Sequence, residues 1–113
     1  MHELSLCRSL IKQLEMQAQQ QGFSRVHEIW LEVGPMSAVM PKSLEFAFSA
    51  CSRGTLADGA TLHIVEQPAR ARCGVCGEIC TVSSRFDPCP NCAAEGLALL
   101  SGDGVAIKEL EVE

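Results

Sequence analysis

The sequence predicts an α/β protein: two helices packed on a three-stranded mixed sheet, with a four-cysteine module inserted before the last strand. Three observations carry this reading. Two stretches space their apolar residues at the helical period, and three shorter runs between turn signals have the apolar alternation of strands. Two Cys-x2-Cys pairs then stand together between the second and third strand candidates.

Leu4, Cys7, Leu10, Ile11, Leu14 and Ala18 line one side of a helix, with Arg8, Lys12, Gln13, Glu15 and the run Gln19–Gln21 on the other. The helix runs from about residue 4 to 21 and is stopped by Gly22. In residues 26–33, Ile29, Leu31 and Val33 alternate with Glu28, Trp30 and Glu32, giving a strand that packs its apolar face on the first helix and ends at Gly34-Pro35. Pro41 suits the first turn of a second helix, whose stripe is Leu44, Ala47, Phe48 and Cys51, up to a stop at Arg53-Gly54. Residues 61–66 read as a strand ended by Pro68, and residues 105–112 as the last strand. The apolar alternation of that last strand changes phase near Lys108-Glu109, the mark of a bulge. Two domains are expected: residues 1–68 with 102–113, and residues 69–101.

At 113 residues and 47% apolar content the chain suits one compact domain, or one with a small metal-held appendage. Nine Lys and Arg against fourteen Asp and Glu leave a formal charge of −5, without a basic run, which argues against binding nucleic acid. No apolar stretch is long enough for a transmembrane helix, and no basic-then-apolar opening suggests a secretory leader, so no membrane association is expected and the cytoplasm is the default. No phosphate-cradling glycine motif and no nucleophile elbow is present, so no enzymatic activity and no nucleotide use of its own are expected.

Seven cysteines are many for a compartment that keeps thiols reduced. Cys73-Gly-Val-Cys76 and Cys89-Pro-Asn-Cys92 are separated by twelve residues, 77 to 88. That spacing suits a Zn(II) held by four thiolates, two from each of two knuckles joined by a hairpin. A saturated tetrathiolate leaves no open coordination position, so the expected role is structural, and a segment this small would be unfolded without its metal. Cys80 is open to three readings: a spare ligand, a ligand favouring an iron–sulfur cluster, or an exposed or half-buried free thiol. Cys7 and Cys51 fall on apolar helix stripes as small hydrophobes. His27 and His63 lie on strands without a ligand-like neighbour and are read as hydrogen-bonded structural histidines.

His2 has a donor set that no internal histidine has. The Met1 α-amine, the backbone nitrogens of His2 and Glu3 once deprotonated, and the His2 imidazole can close adjacent chelate rings in one plane, which suits Ni(II) or Cu(II). The residue taken alone reads as an incidental polar group at a frayed terminus.

Taken in order, Met1-His-Glu-Leu-Ser5, Trp30-Leu-Glu-Val-Gly-Pro35, Pro41-Lys-Ser-Leu-Glu-Phe-Ala-Phe48, Gly59-Ala-Thr-Leu-His-Ile64 and the two Cys-x2-Cys pairs resemble the HypA/HybF family of hydrogenase nickel-incorporation proteins. The resemblance runs over the whole chain. It implies a cytoplasmic metallochaperone that binds Ni(II) at Met1, His2 and Glu3 and carries a structural Zn(II) on Cys73, Cys76, Cys89 and Cys92. The implied partners are a GTPase that supplies nickel or drives its transfer, and the large subunit of a nickel–iron hydrogenase precursor. The resemblance is compatible with a monomer or a homodimer. The competing reading of the same cysteines is a zinc-ribbon adaptor for nucleic acid or a transcription factor, which the acidic charge disfavours.

Overall fold

The computed structural model describes residues 3–84 and 86–113. Eight elements follow in order: α1 (Glu3–Gln21), β1 (Val26–Val33), α2 (Pro41–Cys51), β2 (Thr61–Glu66), β3 (Ala69–Arg72), β4 (Ile79–Val82), β5 (Ala98–Ser101) and β6 (Val105–Val112). They form two three-stranded sheets, ordered β2-β1-β6 and β4-β3-β5. The chain divides into two compact units. One takes in the chain up to Leu31, Val39–Val65 and Ile107–Glu113; the other takes in Glu32–Ala38 and Glu66–Ala106.

The first unit holds the expected two helices and mixed sheet. Cys7, Leu10, Ile11 and Leu14 from α1, Val26, Ile29 and Leu31 from β1, and Leu44 and Phe48 from α2 are buried together with Ala57. Each large apolar side chain taken out of water in this way contributes roughly 1.5–3 kcal/mol. Gly22 ends α1 as expected: its φ of 80° is left-handed, and its amide donates to Ala18 O at 2.8 Å. Pro41 opens α2 after a Met40 that provides no side-chain cap, because a proline in the first turn leaves one fewer amide to satisfy. Arg25 and Glu113 exchange backbone hydrogen bonds in both directions, as antiparallel neighbours do, beside the central strand β1. The exposure pattern of β6 changes phase between Lys108 and Glu109, in step with its apolar pattern.

The second unit contains what the element reading missed. Residues 69–101 are not only knuckles and loops, since β3, β4 and β5 form a sheet of their own there. β3 pairs antiparallel with β4 from Ala69↔Val82 to Arg72↔Ile79, and with β5 through Arg70↔Ser101 and Ala71↔Leu99, with a register irregularity between Arg70 and Ala71. Ala69, Ala71 and Val82 form a small core, packed by Met36, Cys80, Leu97 and Leu99. The joining hairpin is also displaced from its expected place: β3 and β4 flank the first knuckle, so the hairpin presents one knuckle at its tip and does not lie between the two.

Two glycines set the closest backbone approach in this unit. A Cβ on Gly34 would lie 2.1 Å from Gly102 O, and one on Gly102 would lie 2.5 Å from the Cα of Ala69. Met36 N–H donates to Gly102 O at 2.8 Å, and Gly34 N–H donates to Gly104 O at 2.9 Å, so the chain is bonded at the same crossing that excludes a side chain. Gly102 also sits at φ 99°, outside the range L-residues favour. Gly102→Ala is therefore expected to destabilise the unit by roughly 2–4 kcal/mol, overpacking and backbone strain combined. Amide hydrogen exchange of Met36 and Ala69 should rise well above wild type; unchanged protection there would count against the close crossing.

Candidate metal centre

The two cysteine pairs adopt one backbone pattern twice. Cys73 N–H donates to Glu78 O at 2.9 Å while Gly77 N–H donates to Cys73 O at 3.0 Å. Cys89 N–H donates to Ala94 O at 2.9 Å while Ala93 N–H donates to Cys89 O at 2.7 Å. In each turn the fourth residue after the first cysteine is left-handed, Gly77 at φ 78° and Ala93 at φ 63°. Glycine adopts this conformation freely, whereas Ala93 is held there by its turn at a cost of about 1–2 kcal/mol. Residue spacing in Cys-x2-Cys thus becomes a fixed pair of thiols on one side of each turn.

The turns bring four sulfurs to one point. Sγ atoms of Cys73, Cys76, Cys89 and Cys92 all lie within 4.8 Å of one another, the only such group of potential ligands among the described residues. Cys73 Sγ is 3.6 Å from Cys92 Sγ, and Cys76 Sγ is 3.7 Å from Cys89 Sγ. A tetrahedron with metal–sulfur bonds of about 2.3 Å has edges of about 3.8 Å, whereas a disulfide needs about 2.05 Å. The cysteines are free thiols whose spacing suits a bound ion and not a pair of cross-links. Cys73 and Cys89 are buried at 2% exposure, while Cys76 and Cys92 are exposed, so each turn contributes one inner and one outer ligand.

The electrostatics call for a cation. The amides of Cys76 and Val75 donate to Cys73 Sγ at 3.5 and 3.4 Å and hold its thiol down at about 6. The Glu78 amide and the Asn91 side chain likewise favour the Cys76 thiolate. At Cys92 the Ala94 amide acts in the same direction, but withdrawal from water and the adjoining sulfurs outweigh it and push the thiol up to about 12. Four anionic sulfurs this close repel one another, and a divalent ion at their centre is what permits all four to ionise.

Cys80 is not one of the four. It is half-buried, its Sγ directed at Ala71 O at 3.8 Å, and withdrawal from water raises its thiol above the usual range, which makes it a packed free thiol and no spare ligand. Cys7 is buried with its Sγ 3.7 Å from Leu44 O, and burial pushes its thiol up to about 11. Both strand histidines are paired: His27 Nε2 lies 3.0 Å from Glu113 Oε2, and His63 Nε2 lies 2.9 Å from Glu28 Oε1. Met1 and His2, two of the three residues assigned to nickel, lie outside the described residues. The third, Glu3, opens α1 half-buried, with its carboxylate in the first turn, where the helix dipole favours a negative charge.

A helix-backed mixed sheet joined to a second sheet that bears a four-thiol centre defines a small metal-binding α/β protein. Residues 1–112 match the family described as "Hydrogenase/urease nickel incorporation, metallochaperone, hypA". The chain belongs to the HypA family. It is 46% identical over 113 residues to the hydrogenase maturation factor HypA of Azotobacter vinelandii, and 45% identical to that of Acidithiobacillus ferrooxidans, with both chains covered completely in each comparison. Its fold resembles the solution structure of the Ni metallochaperone HypA from Helicobacter pylori, with a TM-score of 0.78 at 22% identity, over 99% of this chain and 97% of that one. The resemblance to hydrogenase nickel-incorporation proteins and the expected fold class are both borne out by these matches.

Proposed function

We propose that this chain is a nickel carrier that delivers Ni(II) to the large subunit of a nickel–iron hydrogenase precursor, working in the cytoplasm with a GTPase partner. The family match over residues 1–112 carries the proposal. Nickel is its cargo, bound by the Met1 α-amine, the His2 imidazole and the backbone nitrogens of His2 and Glu3. Residues 1–68 with 102–113 act as the nickel domain and residues 69–101 as the zinc domain. Zn(II) on Cys73, Cys76, Cys89 and Cys92 supplies structure, since four thiolates leave it no position for a substrate. The protein acts by binding and docking and not by catalysis, and nucleic acid and membranes are not among its partners. Among the described residues no helix is long and apolar enough to cross a membrane.

A carrier must release what it holds. Donors that each bind a proton when nickel leaves make that release pH-dependent, because protons compete for the amine, the imidazole and the amides. Nickel affinity is expected to fall as pH falls through the imidazole and amine ranges. The direct test compares an N-terminally extended protein with a C-terminally tagged one by Ni(II) titration. Extension turns the amine into an amide and should weaken binding at least tenfold and remove the weak visible band of planar nickel. Equal affinity and equal spectra in the two proteins would remove the amine from the ligand set.

A further inference from the structure

β3 is the central strand of the second unit's sheet, and its alternation sorts its residues between the two faces. Ala69 and Ala71 are buried, as is Cys73 just beyond the strand, whereas Arg70 and Arg72 are exposed. The arginines thus stand together on the face opposite the small core. The pairing register shows what flanks them there. Arg70 faces Thr81 on β4 and Ser101 on β5, and Arg72 faces Ile79 and Ala98. An acidic residue at any of these four positions would be a stabilising cross-strand partner, yet all four are uncharged. Neither guanidinium forms an ion pair or a hydrogen bond with another described residue, in a chain that has fourteen Asp and Glu. At the irregularity between Arg70 and Ala71, β5 supplies one residue more than β3. That extra residue, Leu100, is 53% exposed, and Ile79 is 42% exposed. One sheet face therefore carries two uncompensated cations with an exposed aliphatic side chain near each: Ile79 opposite Arg72, and Leu100 next to the Ser101 that faces Arg70.

We propose that this face of the β4-β3-β5 sheet docks an extended acidic segment of a partner protein. Two of its carboxylates, spaced i and i+2, take Arg70 and Arg72, and an apolar side chain at either end covers Leu100 and Ile79. Charge and spacing both select this occupant. Alternate side chains of an extended chain lie on one side, about 6.7 Å apart, the same repeat that separates Arg70 from Arg72 along β3. A guanidinium presents a planar fork that a carboxylate accepts with both oxygens, which makes arginine a frequent anchor of protein interfaces. Single-stranded nucleic acid fits this face less well: it has two cations and no aromatic ring on which a base could stack.

The surface uses neither the nickel donors nor the zinc ligands, so its test is separate from that of the carrier reading. Full-length, zinc-loaded, nitrogen-15-labelled protein is titrated with the end-capped peptide Leu-Ser-Glu-Ser-Glu-Ser-Leu, which sets two carboxylates and two leucines on one side when extended. Saturable amide shifts are expected at Arg70, Arg72, Ile79 and Leu100, with the amides of α1 unmoved. The Kd should rise at least tenfold in the double variant Arg70→Gln, Arg72→Gln, and likewise when glutamine replaces both glutamates of the peptide. The double variant Arg70→Lys, Arg72→Lys, which keeps the charge and loses the fork, should fall between wild type and the glutamine variant. Both arginines are exposed, so zinc content and the α1 amide spectrum should stay at wild type in every variant. Absence of saturable shifts, shifts confined to other residues, or an unchanged Kd in the glutamine variant overturns the proposal. So does a thymidine oligonucleotide that binds more tightly than the peptide and is lost in that variant, since the face would then belong to phosphates.

Discussion

Cys89→Ala is expected to strip the resident metal from the purified protein and to loosen the second unit, leaving α1, α2 and the β2-β1-β6 sheet folded. Cys89 is one of the two inner ligands, 2% exposed, and its sulfur sits 3.7 Å from that of Cys76. Structural zinc in small domains contributes on the order of 10 kcal/mol of binding free energy that is also folding free energy. The apolar core beside the centre is small, centred on Ala69, Ala71 and Val82, and cannot substitute for that term. Metal analysis should fall from one zinc per chain to near none, and hydrogen exchange should accelerate in β4 and around both turns while α1 stays protected. The same chemistry sets the sign of the pH response. Each thiol must lose its proton to ligate, so metal affinity falls as pH falls and rises as pH rises. Stoichiometric iron with a visible sulfur-to-iron band in the purified protein would displace zinc from this assignment.

His2→Ala is expected to abolish nickel-dependent hydrogenase maturation in cells grown at low nickel, a loss of at least tenfold in hydrogenase activity, with zinc content and fold unchanged. The imidazole closes the proposed planar donor set, and no other histidine can replace it there, since His27 and His63 are engaged by Glu113 and Glu28. Added nickel salt should restore activity, because the defect is one of supply. Wild-type activity in the His2→Ala strain at low nickel would end the carrier reading at this terminus. This experiment and the cysteine substitution separate the two metals: one variant should lose nickel delivery with zinc retained, the other should lose zinc.

Elements whose signal is local were readable from the residues alone. The stripe Leu10, Ile11, Leu14 needs only the helical period to declare itself, and Ile29, Leu31, Val33 only the strand period. The strands β3 to β5 were not, because each spans four residues and two consist largely of residues with little strand preference. In Ala69-Arg-Ala-Arg72 the alternation is present, with the alanines buried and the arginines exposed, but alanine is too small to mark an interior face by its hydrophobicity.

The amino-acid sequence by itself determined the helices and long strands, their helix-on-sheet layering, and the four metal-ligating cysteines, since each follows from periodicity or from the reach of a tight Cys-x2-Cys turn. Tertiary structure decided what depends on residues far apart in the chain. It closed the pairs Cys73–Cys92 and Cys76–Cys89 to 3.6 and 3.7 Å and set Cys80 aside. It brought Gly34 against Gly102, and it paired His63 on β2 with Glu28 on β1. Local patterns report a residue's preference for a conformation or for burial, but which partner it meets across a sheet or turn is settled only when the whole chain packs.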